Sequence, residues 1–475
     1  MPFTTDSTRA RPGRVLVVTS AAAFLASLDL FIVNVAFRDI GRDFHGTSLS
    51  DLSWVLNGYA IVYAALLVPL GRLADRTSRK AGFLAGLALF TAASAGCAAA
   101  PDLRLLVAAR VLQAVGAAAL TPTSLALLLS AFPTERRARA VRVWAAGGAL
   151  AAAAGPVVGG VLVQASWRWV FLVNVPVGLL AITAAVRVVP ESRDPERGPV
   201  PDLLGAAVAA FAVAALALAL VQGTSWGWDS VRILGALGAS VLAATLFWTR
   251  TRRQPVPLVE PALLRVASFA WSNAAALAFS TAFAASLLAA VLWLQQVWGA
   301  TALRAGLETA PGPLMVPVFA VAAGLLVKRG VPTGVVAAGG CLLLTAGLII
   351  IAITVGPAPA YATQFLPGWL VGGAGVGLAL PMILSNATAD LPPARSATGS
   401  AVVTMSRQIG SVLGVSILVA VLGTPVGYAE AHRAFQAGWI AAAVAAGVGA
   451  LVALKMTPHR TPGLPRDLLP AEVSA

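Results

Sequence analysis

Apolar residues in this chain gather into long blocks, and the polar residues between them form short stretches. Blocks of roughly 20 residues, the length a helix needs to cross a ~30 Å hydrocarbon core, fall near 15–37, 52–71, 81–100, 103–130, 141–164, 169–189, 203–222 and 231–249. Six more fall near 269–294, 307–327, 334–355, 362–386, 398–423 and 434–456. The pattern predicts an all-α integral membrane protein of fourteen spans, with mostly short connections and no inserted soluble domain. The first block follows Arg9, Arg11 and Arg14 but is longer than the ~7–15 residues of a secretory h-region, and Asp29 interrupts it. It reads as a retained first helix.

Composition agrees with the pattern. The 475 residues are 58% hydrophobic and 11% charged, against about 25% charged in a soluble domain. A net charge of +14 raises the question of a nucleic-acid partner. With a cytoplasmic N-terminus, however, the inner loops and tails hold 24 of the 33 Lys and Arg and the outer loops seven, while Arg110 and Arg407 lie within spans. That asymmetry follows the positive-inside rule. The basic charge therefore reports membrane topology, no nucleic acid is implied, and both termini are expected in the cytoplasm. Cys97 and Cys341 sit inside apolar blocks, which does not indicate a disulfide framework. His45, His432 and His459 are too scattered for a metal site. The run GGAGVG at 372–377 lies within a span, with no strand before it and no phosphate-binding lysine after it, so no nucleotide cofactor is implied.

Internal similarity organises the spans. GAAALTP (116–122) matches GVGLALP (375–381) at an offset of 259, GPVVGG (155–160) matches GSVLGV (410–415) at 255, and Gly71 aligns with Gly324 at 253. These map the second, fourth and fifth spans onto the tenth, twelfth and thirteenth. The expected division is an N-terminal six-helix half (1–190), linkers with a two-helix insert (191–265), a C-terminal six-helix half (266–457) and a cytoplasmic tail (458–475).

Several stretches suggest chemistry. GRLADRTSRK (71–80) falls in the inner loop after the second span. Its cations are what any inner loop collects, but Asp75 among them, beside a tight turn at Gly71, also suits an interdomain latch of salt bridges involving Arg76, Arg79 and Lys80. In LVAARVLQAVGAAALTP (106–122), Arg110, Gln113, Ala117 and Thr121 share one helical face. A guanidinium within a span costs several kcal/mol, roughly, and usually faces a cavity or a partner. AAAAGPVVGG (151–160) either lets helices pack closely or, through Gly155, Pro156, Gly159 and Gly160, forms a kink where halves meet. Trp144, Trp271 and Trp293 fit a cavity or the membrane interface.

These stretches resemble the major facilitator superfamily. The loop is similar to its motif G-x-L-a-D-r-x-G-r-k, with Ser78 for the second glycine. The fourth span resembles R-x-x-Q-G-x-G-a-A, with Ala114 for the first glycine. The fifth resembles the antiporter motif g-x-x-x-G-P-x-x-G-G, with Ala151 for the leading glycine. LDLFIVNVAFRDIG (28–41), WRWVFLVNVPVG (167–178) and residues 375–416 are similar to segments of the fourteen-helix drug:proton antiporters. The resemblance implies a major facilitator fold of 6 + 2 + 6 helices and proton-coupled export of small molecules by a monomer.

Asp29 is the remaining question. It lies eight residues before the outer end of the first span, and Arg110 seven after the outer end of the fourth. At about 1.5 Å per residue both sit ~11–12 Å deep. A pair between them would be either a proton-coupling site or a static salt bridge. Asn34, Asn57, Gln113, Thr121, Arg407 and Gln408 are further polar span residues expected to line a cavity. Glu308 lies near the outer end of the tenth span, either within the membrane or among headgroups. With no acid deep in the C-terminal half, the cargo expected is neutral, monovalent-cationic or anionic. Dedicated export of one endogenous metabolite is the alternative. A polytopic enzyme would need clustered acids or histidines at a membrane face, and a channel a filter segment; the sequence offers neither.

Overall fold

Short polar side chains mark where many of the helices begin. Ser48 forms a capping box with Asp51, and Ser78, Asp102, Asp202, Ser230 and Thr301 each accept a backbone N–H in the following first turn. The computed structural model describes residues 12–193, 201–255, 257–392 and 395–456. Residues 1–11, most of the first linker and the expected tail at 458–475 lie outside the described residues. Among the described residues, fourteen helices are long and apolar enough to span a membrane: α1 Pro12–Asp43, α2 Leu49–Arg76, α3 Arg79–Ala99, α4 Leu103–Ala131, α5 Thr134–Val163, α6 Trp169–Val188 and α7 Leu203–Trp226. The others are α8 Val231–Arg253, α9 Ala267–Val297, α10 Ala302–Lys328, α11 Thr333–Thr354, α12 Leu366–Asn386, α13 Ser396–Leu422 and α14 Tyr428–Met456. Among the described residues there is no strand.

The tenth span starts at Ala302, ahead of the expected 307, because Thr301 caps it and Arg304 pairs with Glu308 one turn on, at 2.7 Å. That pair hides the charge that breaks the hydropathy pattern. Glu308 is therefore a buried residue in the second turn rather than the opening residue.

The internal repeat reappears as packing. α1 lies along α5 as α9 lies along α13; α3 pairs with α4 as α11 pairs with α12; α2 meets α4 as α10 meets α12. The same small residues make these approaches possible. A Cβ on Gly86 would sit 2.9 Å from the Gly116 carbonyl oxygen of α4, and one on Gly340 2.6 Å from that of Gly375 in α12. Gly155 and Gly159 press on Phe31 and Ile32 of α1, and Gly410 and Gly414 press on Leu277 and Thr281 of α9. With little hydrophobic drive between helices in lipid, such close backbone contacts carry the packing. Gly71 and Gly324 break the symmetry: Gly71 packs on Pro122 of α4, whereas Gly324 faces open space.

The insert helices α7 and α8 pack on each other, and α7 lies against α2 and α13, one from each half. Arg250 holds Asp202 with three contacts of 2.8–3.1 Å. Burial works against the Asp202 carboxylate, but the Arg250 guanidinium and the Gly205 N–H outweigh it and hold the carboxyl below its usual range.

The halves meet differently at the two faces of the bundle. At the face opposite the termini, α5 of the first half presses on α10 of the second: a Cβ on Gly160 would lie 2.6 Å from Leu303 Cα, and one on Gly306 2.2 Å from the Pro156 carbonyl oxygen. Arg38 of α1 donates to the Gln295 carbonyl, and Gln295 returns a bond to Val35 O at 2.9 Å. At the terminal face, Glu260, in the segment after the insert, bridges Arg72 of α2 and Arg395, just ahead of α13. Arg72 also donates to Pro257 O at 3.0 Å. The ion pairs that bridge this face thus run through Glu260. Asp75 itself pairs with Arg79 within its own loop at 2.6 Å, because α2 continues through Gly71 to Arg76 and leaves no tight glycine turn. Partly exposed ion pairs are worth about 0.2–1 kcal/mol each. Glu260→Gln is therefore expected to loosen the terminal face a few-fold, read as a longer, broader distance between spin labels on Arg76 and Lys328. An unchanged distribution would assign the closure to other contacts.

Candidate functional site

Five helices bring polar side chains to one point in the N-terminal half. α1 supplies Asp29, α4 Arg110 and Gln113, α3 Ser94, α6 Asn174, and α2 the Tyr59 ring and the Val55 carbonyl. All six side chains are at most 1% exposed. Arg110 forms a direct ion pair with Asp29 Oδ2. Gln113 donates to Asp29 Oδ1 at 2.8 Å and accepts from Arg110 at 2.6 Å, while Asn174 donates to the same Asp29 oxygen at 3.0 Å. Ser94 accepts from Gln113 at 2.7 Å and donates its own hydroxyl to Phe90 O. Arg110 completes its contacts at Val55 O, 3.1 Å away, and by lying 4.1 Å over the Tyr59 ring.

This satisfies both oxygens of the carboxylate, as burying an ion pair requires. Two polar atoms remain without partners, the Tyr59 hydroxyl and Asn174 Oδ1. Sequence reasoning placed Asp29 and Arg110 at one depth but did not single out Ser94, Asn174 or Tyr59. Asn174 lay in plain view within WRWVFLVNVPVG; nothing marked Ser94.

Beside the pair opens a cavity bounded by Ala23, Ala26 and Leu30 of α1, Tyr59 and Tyr63 of α2, Thr121 of α4 and Trp144 of α5. Its volume is about 70 Å³, below the roughly 300–1,000 Å³ of a pocket that encloses a drug-sized molecule. Tyr59 stands in its wall and over Arg110, so one ring separates cavity from ion pair. Thr121 is in the wall, where it accepts from Tyr63 at 3.1 Å. The other residues expected to line a cavity lie elsewhere. Asn34 donates back to Leu30 O of its own helix, Asn57 bridges to Ser416 of α13 at 3.1 Å, Gln113 belongs to the ion-pair network, and Gln408 is buried on α13. Trp144 lines the cavity and donates to Ser124; Trp293 is buried among Trp298, Phe435 and Trp439; Trp271 is partly exposed beneath Lys455.

The motif residues divide between neighbours. In the loop, Ser78 caps α3 and donates to Glu191, and Lys80 donates to Val186 O of α6 at 2.9 Å, so Ser78 replaces glycine with a working cap. In α5, Gly155 and Gly159 face α1, while Pro156 and Gly160 face α10. Cys97 and Cys341 are free and buried, and among the described residues no group of His, Cys, Asp or Glu could hold a metal.

Fourteen membrane-length helices among the described residues, with a charged pair buried between them, define a polytopic membrane protein. Residues 19–415 match the sequence model of the Major Facilitator Superfamily, and the chain belongs to that family. It is 37% identical to the methylenomycin A resistance protein of Bacillus subtilis over 66% of this chain and 67% of that protein. It is 34% identical to the multidrug resistance protein Stp of Mycobacterium tuberculosis over 86% of this chain and 75% of that protein. Among solved structures, a crystal structure of the peptide transporter POT in complex with sulfate superposes with a TM-score of 0.68, covering 94% of this chain and 96% of that one at 16% identity. At that identity the likeness speaks to the fold alone.

Proposed function

We propose that the chain is a proton-coupled exporter of amphipathic small molecules, working as a monomer in the cell membrane with both termini cytoplasmic. The observation that carries this reading is a buried, fully bonded Asp29–Arg110 pair separated from an apolar cavity by the single ring of Tyr59. Relatives named for multidrug resistance and for resistance to one antibiotic support the cargo class.

In this reading residues 1–190 and 266–457 are the rocking halves, 191–265 carries linkers and insert, and 458–475 is a tail. The sealed face opposite the termini is the outer one, so the state described is closed to the outside. A buried carboxylate is tolerated while Arg110 holds it. When a shift of α1 against α4 within the first half accompanies the rocking, the cheapest relief for the bare carboxylate is to take a proton. Cargo leaves while the outer face is open, and return to the closed state restores the ion pair and releases the proton to the cytoplasmic side. Gly71, Asp75, Arg76, Arg79 and Lys80 brace the cytoplasmic end of the first half, and Gly155, Pro156, Gly159 and Gly160 form the pivot. A second reading, one dedicated metabolite, is favoured by the single-antibiotic name of one relative.

The test is reconstitution. In inside-out proteoliposomes with an acidic lumen, a panel of neutral, cationic and anionic dyes should include some that accumulate inside. An uncoupler should abolish that accumulation. Dye movement indifferent to the pH gradient would end the proton-coupled reading.

A further inference from the structure

α5 and α10 touch at the sealed face and part below it. Gly160 of α5 and Gly306 of α10 each press on the other helix there. Eighteen residues along a helix is five turns, about 27 Å, and returns to the same side. On α5 that step reaches Arg142, and on α10 it reaches Gly324. Arg142 is exposed, and nothing lies within 4 Å of a Cβ built on Gly324. Over this stretch each helix stays with its own half: Gly148 of α5 lies against Ser27 of α1, and Val316 and Phe319 of α10 lie against Gly377 of α12. The two helices thus bound a wedge-shaped groove that widens toward the terminal face. The seam between α2 and α13 has no such gap. It is held by the Asn57–Ser416 bond, by Ala64 and Val68 packed with Val402 and Met405, and at the terminal end by Glu260. α7 also ties the two together, accepting from Ser50 of α2 at Val221 O, 2.9 Å, and donating from Thr224 to Ala420 O of α13, 3.1 Å.

The groove is apolar along its length and charged at its mouth. Its walls carry Ala146 and Ala153 of α5 and Pro317 and Gly324 of α10. At the mouth Arg139 and Arg142 of α5 and Lys328 of α10 are exposed and, among the described residues, have no ion-pair partner. The acid of this stretch, Glu135, lies nearly two turns beyond Arg142. Arg142 is 21 residues, about 32 Å of helix, from the far end of α5 at Val163. That distance matches the ~30 Å hydrocarbon core and puts the cations at headgroup level on the terminal face. We infer that the groove binds an anionic phospholipid of that leaflet, its phosphate held by Arg142 and Lys328 and one acyl chain laid along the apolar stripes. A groove of about 27 Å is longer than the half-core one leaflet supplies, so a full chain fits. A zwitterionic lipid would fill the stripes and leave the cations without a net counter-charge. Wedged between α5 and α10, the lipid holds the halves apart at the terminal face, so it favours the state that is sealed at the other face.

Fluorescence quenching of the full chain in lipid nanodiscs tests it. A bimane is attached through Val321→Cys, beside the groove, or through Leu246→Cys on α8. Both positions are exposed, and the native Cys97 and Cys341 are buried. Val321 lies seven residues before Lys328 and Leu246 seven before Arg253, so Leu246 reports what ordinary inner-face charge does at that depth. The quenchers are phosphatidylglycerol and phosphatidylcholine with a doxyl group on one acyl chain, and doxylstearate. Phosphatidylglycerol should half-quench Val321 at a lower mole fraction than phosphatidylcholine. This preference should exceed the one at Leu246 at least about fivefold, the worth of one cation at a membrane surface. Arg142→Gln combined with Lys328→Gln should bring the two positions level. Gly324→Phe, which fills the groove and leaves its cations, should do the same. Equal preference at the two positions, or a preference at Val321 that survives either change, would overturn the site. Stronger quenching by doxylstearate than by phosphatidylglycerol would make the occupant a single-chain acid and overturn the phospholipid. The measurement needs no proton gradient. Failure of the export reading would show as absent pH-driven flux with the lipid preference intact, and failure of the lipid site as pH-driven flux without that preference.

Discussion

Asp29→Asn is expected to remain folded in the membrane and to lose all accumulation driven by a pH gradient. Asparagine matches aspartate in shape and can still accept the Gln113 and Asn174 bonds of 2.8 and 3.0 Å. It cannot carry a proton, and it leaves Arg110 buried without a counter-charge. Removing one partner of a buried pair costs about 3–5 kcal/mol in general. Here the Tyr59 ring 4.1 Å away, Gln113 Oε1 and Val55 O continue to hold the guanidinium, so the cost should fall at or below the lower end of that range. Arg110→Ala should be worse, because it leaves Asp29 Oδ2 without a donor and a void where the guanidinium lay, with Gln113 and Asn174 holding only Oδ1. Vesicles separate the effects: downhill dye movement should survive in Asp29→Asn while dye-driven proton movement disappears. Full dye-driven proton movement in that variant would assign the coupling to another group.

Much of this site was legible from depth alone. Span periodicity places Asp29 and Arg110 equally far below one face, and two opposite charges at one depth in lipid have strong reason to meet. The partners were not legible, since Ser94 and Asn174 carry no cost that marks them: a serine in a span ordinarily bonds its own helix, as Ser94 also does to Phe90 O. Tyr59 hid for a related reason, an aromatic residue in an apolar run being unremarkable until a cation lies over it. The repeat was legible because close backbone packing admits few residues besides glycine, which is why offsets near 255 recur as contacts in α3–α4 and α11–α12. The ion pairs at the terminal face were less legible. Sequence points to the acid among cations, Asp75, but local pairing with Arg79 satisfies it, and the bridging acid Glu260 comes from a segment more than 180 residues away.

Gly306→Ala is expected to hold the outer face open and stop transport. Its added methyl would sit 2.2 Å from the Pro156 carbonyl oxygen, backbone against which no side chain can give way. The collision exists only while α5 lies on α10, so it penalises the sealed state and leaves the open one untouched. Overpacking of this kind costs about 1–3 kcal/mol, which as a two-state bias is a shift of about 5–150-fold toward the open state. Spin labels on Arg42 and Glu430, exposed at that face in opposite halves, should move apart, and pH-driven accumulation should fall with them. Gly324→Ala in the same helix is the control, because nothing lies within 4 Å of its would-be Cβ and it should behave as wild type. The comparison separates a gate from ordinary helix packing. Loss of helicity alone would affect neither, since alanine favours a helix over glycine at both positions. If Gly306→Ala kept the wild-type distance and transport, the contact of Pro156 with α10 would persist in both states, and the outer gate would have to be formed by other contacts.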